Sequence, residues 1–279
     1  MIHRLQALLY VLLALALCWL GKHAYALFHP HERVDRELTA KDNVAFALPM
    51  GAYFLGILIC LGAPLTAPGQ GSLPEDLALT VAWGLLAILV LNVASRLSDK
   101  TLLRGVDTSA EILERRNLSA GYLKAGSQLA NALLILGALS GSGGLLPCVA
   151  FWIYGQLWLA LAAIALPYIL RCDLADQILK DNQAVAIAAA GGLVAIGNVL
   201  RLALTGDFTG WTPAVASVTG YAAVGLAFLF IIRELVDCLL LPNVTVRHEL
   251  LEQKVPNVGV GYLMAVFYIG TSILVGWCL

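Results

Sequence analysis

The sequence predicts an all-α, polytopic membrane protein with eight transmembrane helices arranged as two parallel four-helix repeats. Three observations predict it. Of 279 residues, 60% are hydrophobic and 13% charged, with a mean hydropathy of +0.83, more apolar than one soluble core of that length requires. Eight apolar stretches are each long enough to cross ~30 Å of hydrocarbon as a helix. Finally, Lys41-Asp42-Asn43 returns as Lys180-Asp181-Asn182, 139 residues later, each time opening an apolar run.

The stretches are Arg4–Phe28 (helix 1), Asn43–Leu65 (helix 2), Asp76–Leu97 (helix 3), Asn117–Leu139 (helix 4), Leu146–Leu170 (helix 5), Asn182–Leu204 (helix 6), Pro213–Cys238 (helix 7) and Asn257–Leu279 (helix 8). They are continuously apolar rather than alternating, which excludes a barrel, and only a helix satisfies its own backbone inside lipid. Helix 1 competes with a cleaved signal peptide ending near Ala24-Tyr25-Ala26. Cleavage would put the basic Arg33–Lys41 loop outside and leave an odd helix count, so helix 1 is expected to be retained. Helices 2, 4, 6 and 8 open on Asn43, Asn117, Asn182 and Asn257. Asparagine at an N-cap accepts a hydrogen bond from a free backbone N–H of the first turn, and Asp42 and Asp181 sit favourably at a positive helix end. A functional ring of four asparagines is the alternative. Helices 2, 4, 6 and 8 also hold most of the intrahelical glycine, and small residues let helices approach closely in lipid. They are expected inside the bundle, with the odd helices and aromatics such as Trp19, Trp152, Trp158 and Trp211 outside or at the interface.

Orientation follows from the basic residues. Of seventeen, thirteen lie in connections 1–2, 3–4, 5–6 and 7–8 or their helix ends: Arg33, Arg36, Lys41, Arg96, Lys100, Arg104, Arg115, Arg116, Arg171, Lys180, Arg233, Arg247 and Lys254. Those connections are expected in the cytoplasm and both termini in the periplasm. The lipid bilayer is the one certain partner of such a chain. No basic stripe interleaved with aromatics suggests nucleic acid, and the six cysteines show no metal or redox spacing, so they read as small buried hydrophobes.

The duplication extends to "NLSAGYL" from Asn117 and "NVGVGYL" from Asn257. It divides the chain into residues 1–141 and 142–279, at the Ser140–Gly144 "SGSGG" run. A finer period places an acid six residues before three of the asparagines: Glu37, Glu111 and Asp176. Tyr25 with the His29-Pro30-His31 run, Asn43/Ala45/Ala47, Arg96 closing helix 3, and Asn117/Ala120/Gly121 resemble the YjfL-like bacterial inner-membrane proteins, a domain-of-unknown-function family, in two tandem copies. The resemblance implies a bacterial inner (plasma) membrane location and supplies no activity or catalytic residue. The second half departs from it, with Leu170-Arg171-Cys172-Asp173 where the first has the histidine run.

Polar residues inside lipid are costly and mark candidate sites. Lys124, Gln128 and Asn131 share one face of helix 4, with Ser127 beside them. Asn198 and Arg201 in helix 6 form a second polar pair near the opposite face, and Asn92 reads as interhelical glue. His23, His29, His31 and Glu32 match no common ligand spacing, so no metal or other cofactor is expected. The Asn243-Val244-Thr245 sequon is idle in a cytoplasmic loop. No carboxylate lies in the interior of a predicted helix, and no nucleophile stands with a base, which speaks against an enzyme and against a proton relay. Two functions remain. One is a conduit or carrier for ions or small solutes, with hairpins gathered around an axis and Lys124 favouring anions. The other is a dry scaffold or assembly subunit docking a cytoplasmic protein partner. The oligomeric state is not legible.

Overall fold

The computed structural model describes residues 2–67, 72–101, 106–241 and 244–278. Arg104, Asn243 and Leu279 from the sequence reading lie outside the described residues. Eight long helices carry the described chain: α1 (Ile2–Phe28), α2 (Val44–Cys60), α3 (Leu73–Thr101), α4 (Leu118–Ser140), α5 (Leu145–Leu170), α6 (Gln183–Leu204), α7 (Trp211–Leu240) and α8 (Val258–Cys278). Short helical turns fill the connections, and no strand occurs among the described residues. Seven of these helices are long and apolar enough to cross a membrane. The long helix not among them is α4, whose apolar character is diluted by Lys124, Gln128 and Asn131.

The helices α2, α4, α6 and α8 stand side by side in an open row, α2 against α4, α4 against α6 and α6 against α8. Glycine makes the contacts close. A Cβ on Gly121 would lie 2.5 Å from the Ala45 carbonyl oxygen, one on Gly126 2.6 Å from Ala190 Cα, and one on Gly191 2.4 Å from Ala265 Cα. At such distances backbone meets backbone, which side chains on either helix would prevent. The pair α1 and α3 flanks α2, while α5 and α7 flank α6.

This geometry corrects two expectations. The small-residue helices form a line rather than a closed ring, so there is no central axis and no ring of four asparagines. Nor are all four internal. Whereas α6 is almost wholly buried, α8 ends the row and exposes Tyr262, Val266, Leu274 and Trp277. Periodicity identifies the small face of a helix, but a terminal helix has nothing to cover one side.

The row is locked at its asparagine end by a repeated connection. The side chains of Asn43, Asn117 and Asn182 accept from the backbone N–H of Phe46, Ala120 and Val185, capping α2, α4 and α6. The amide group of each also donates onward, to the carbonyl oxygens of Ile112 (2.9 Å), Ile178 (2.7 Å) and Leu250 (2.8 Å) in the next connection. The expected acids recur as partners in two cases, Glu37 for Asn43 and Glu111 for Asn117. Correcting the third, Asn182 donates to Gln177 rather than Asp176, which is engaged by Lys180. Asn257 uses Glu249, a more distant acid, because a wider turn precedes it. Asp42, Arg116 and Asp181, the residues before these three caps, hold left-handed backbone (φ 46°, 52° and 55°), a conformation aspartate tolerates better than most residues. Asp181 also accepts from the Ser119 N–H at the start of α4.

Asn117→Ala therefore removes a cap and two buried donations. It is expected to cost ~2–3 kcal/mol, read as a lowered Tm in detergent. Asn257→Ala, at an exposed position, is expected to cost ~1 kcal/mol or less.

Candidate functional site

A buried charged cluster forms where α1, α3 and α4 meet near the connection-bearing face. α4 begins at the Asn117 cap, which places Lys124 two turns inward, 3% exposed. The ammonium lies 3.3 Å from Glu32 Oε1 and 3.4 Å from Asp99 Oδ2. Glu32 follows α1 and is fastened by Tyr25, whose hydroxyl donates to Oε2 at 2.6 Å, and by Ser109, which donates to Oε1 at 2.8 Å. His29 stacks on Tyr25 at 4.2 Å between ring centroids. Arg96, one turn before Asp99, lies over the Phe28 ring.

Burial works to raise the Glu32 carboxyl, but Lys124, the Tyr25 hydroxyl, His29 and Ser109 outweigh it and hold its pKa below the ordinary 4.5. Burial, with Lys124 opposing Glu32, lowers His29 from 6.5. With two carboxylates to one ammonium, the cluster has an excess of acid.

A ladder of amides and hydroxyls continues along α4. Gln128 donates to Ser95 Oγ (2.7 Å) and Asn131 to Ser98 Oγ (2.9 Å) and the Ser127 carbonyl, while Gln156 of α5 donates to Asn131 Oδ1 (2.8 Å). Gln128 Oε1 and His29 Nε2 are buried without a hydrogen-bond partner. Ser98, Ser127, Asn131 and Gln156 border a cleft of about 130 Å³. Beyond it, the segment 132–136 of α4 is uninterruptedly apolar.

Of the residues singled out in the sequence, Lys124, Ser127, Gln128 and Asn131 are brought together here. Asn198 and Arg201 lie apart, where Arg201 Nε donates to Asn198 Oδ1 (2.9 Å) and Asn198 donates to Ser272 Oγ (3.2 Å). Arg201 also sits at backbone contact with Gly137 near the far end of α4. The repeated Asn43, Asn117, Asn182 and Asn257 serve the connections described above. Asn92 donates to the Tyr53 hydroxyl between α3 and α2.

The sequence reading named Tyr25 and Glu32 in other contexts but placed neither of them, nor Asp99 or Gln156, at this site, and its end for helix 3 is corrected. Asp99 belongs to α3, which runs to Thr101 rather than Leu97. The available signal was Ser95, Ser98 and Asp99, polar residues sharing one face of α3 beside the polar face of α4. In the second half the counterpart of Lys124 is Met264, fully buried. Arg233 there pairs with Glu234 at 2.7 Å, and Glu234 also receives Arg171.

Comparison with known proteins follows this division into halves. The family described as Domain of Unknown Function (DUF350) matches twice, over residues 1–139 and 141–279. A UPF0719 transmembrane protein of Aquifex aeolicus (strain VF5) is 22% identical over 268 residues, covering 93% of this chain and 96% of that protein. No solved structure matches.

Proposed function

The chain belongs to the DUF350 family, in two tandem copies, as a multi-pass membrane protein, and from that premise we propose that its first copy handles protons or small cations. In this reading all eight long helices cross a bacterial inner membrane as two parallel four-helix repeats, with both termini in the periplasm. The cluster of Glu32, Asp99 and Lys124 is then a loading site reached from the cytoplasm. The carrying observation is a buried group of charges with acid in excess, continued by an amide ladder in which Gln128 Oε1 has no partner. Ionisable groups are costly at membrane depth and usually belong to ion or proton pathways. The sign favours a cation: Lys124 is already enclosed by two carboxylates and offers an anion no free charge. The apolar segment 132–136 beyond the ladder favours a carrier that rearranges over a standing pore. The second copy, with Met264 at the Lys124 position, serves as framework.

The test is flux through proteoliposomes under an imposed pH gradient or with potassium or sodium as the only cation. Wild type is expected to dissipate one of these gradients, and Glu32→Gln and Asp99→Asn to fall to the level of empty vesicles while remaining folded. No flux from wild type with any of the three overturns the reading. It would favour a dry scaffold docking a cytoplasmic protein, to which the close-packed row is equally suited.

A further inference from the structure

The contacts along the row recur in register, and the register is left half-made at both ends. Counted from the capping asparagine, the same positions meet at successive joints. Ala45 meets Gly121 as Ala184 meets Gly261; Gly126 meets Ala190 as Gly191 meets Ala265. Further along, Gly56 meets Ala132 as Ala130 meets Gly197, and Gly137 meets Arg201 as Leu202 meets Gly276.

Carried forward, the same count assigns α8 a forward face of Gly259, Val266, Gly270 and Trp277. It assigns α2 and the short helix Gly62–Thr66 after it a rear face of Ala47, Gly51, Leu58 and Gly62. Within the chain most of both faces is uncovered, although a Cβ on Gly62 would lie 3.4 Å from Leu136 Cδ1 of α4. Val266 is 63% and Trp277 79% exposed, and nothing lies within 4 Å of a Cβ placed on Gly51 or Gly270. Set against one another in the internal register, the faces complement each other: Gly259 falls opposite Ala47, Val266 opposite Gly51, Gly270 opposite Leu58 and Trp277 opposite Gly62. Each of these pairs holds a glycine, in three of the four with a bulky partner opposite it.

The connections carry an independent sign. Asn43, Asn117 and Asn182 are buried, and each donates to a carbonyl of the next connection. Asn257 is exposed, and among the described residues its amide donates to Glu249 and meets no carbonyl of a further connection. Ile112 and Leu250, like Leu38, directly follow the acid that serves a capping asparagine. Leu38 is thus the counterpart at the head of the row, and it is half-exposed where Ile112, Ile178 and Leu250 are buried.

We infer that the protein associates head to tail with further copies of itself, α8 of one chain against α2 of the next, with Asn257 donating to the partner's Leu38 carbonyl. Lipid could cover an apolar face, but it would need neither the recurring glycines nor the amide register. The two faces differ, so the association is heterologous and builds a ring or a longer row rather than a two-fold dimer. This inference rests on the row and is independent of any ion-handling role.

Native mass measurement in lipid nanodiscs is expected to show multiples of one chain for wild type. Gly51→Trp has open space within its own chain, so it is expected to fold and to run as a single copy. Chains carrying Gly51→Cys, co-expressed with differently tagged chains carrying Val266→Cys, are expected to form a mixed disulfide on mild oxidation that neither forms alone. Single-copy wild type, multiples unaffected by Gly51→Trp, or a Gly51→Cys homodimer without the mixed product would each overturn the inference.

Discussion

Gly191→Leu is expected to leave almost no folded protein in the membrane. Gly191 lies on α6 where a Cβ would stand 2.4 Å from Ala265 Cα and 2.5 Å from its Cβ, contacts that no rotamer relieves because the obstacle is the α8 backbone. Ordinary overpacking of a core costs ~1–3 kcal/mol. Here a whole side chain must force apart a pair of helices whose neighbouring joint, Gly261 on Ala184, is as close. The expected loss exceeds ~4 kcal/mol, in the range reserved for failures of this kind. Gly220→Leu on α7 is the control, since nothing lies within 4 Å of its Cβ. Size-exclusion of detergent extracts reads the result: Gly220→Leu runs as wild type and Gly191→Leu runs as aggregate. Equal behaviour of the two variants would remove the close-packed row as the source of stability.

The same row shows how far the sequence could be read. That Asn43, Asn117 and Asn182 cap helices follows from their place before apolar runs, because capping is a local interaction within one turn. Their second task, donating to Ile112, Ile178 and Leu250, joins residues far apart in sequence, and no local pattern encodes it. The glycines marked the close faces. Whether those faces closed on each other or ran open depended on how α2 and α8 lie in space, which periodicity does not contain. At the charged cluster, Lys124 announced itself by its depth in an apolar helix. Its partners stayed hidden: Glu32 stands in a connection where acids are ordinary, and Asp99 stands in the last turn of α3, where helix ends are hardest to place.

Lys124→Met tests whether those hidden partners make the cluster a unit. Methionine is the residue at the matching position of the second half, where Met264 is fully buried, so shape is nearly preserved and charge is the variable. The change leaves Glu32, tied to Tyr25 and Ser109, and Asp99 beside one another without their cation. Removing one partner of a buried ion pair costs ~3–5 kcal/mol, and that loss in unfolding free energy is expected here. Adding Glu32→Gln and Asp99→Asn to the same chain is expected to restore most of it, because no unpaired charge then remains. The pH dependence carries the sign. In wild type the Glu32 pKa is depressed, so its contribution is complete above the ordinary 4.5 and is lost only as pH falls from there through the lower folded value. In Lys124→Met the largest influence left on Glu32 is burial, which raises its pKa and makes the folded state bind a proton that the unfolded chain releases. Relative to wild type, stability of the variant should therefore rise on going from pH ~7 to ~5, a window in which the depressed His29 pKa lowers wild-type stability. Thermal unfolding in detergent at these two pH values distinguishes the cases: a variant that loses little stability, or one whose deficit to wild type is no smaller at pH ~5 than at ~7, would mean that Lys124 is not what holds the two carboxylates together.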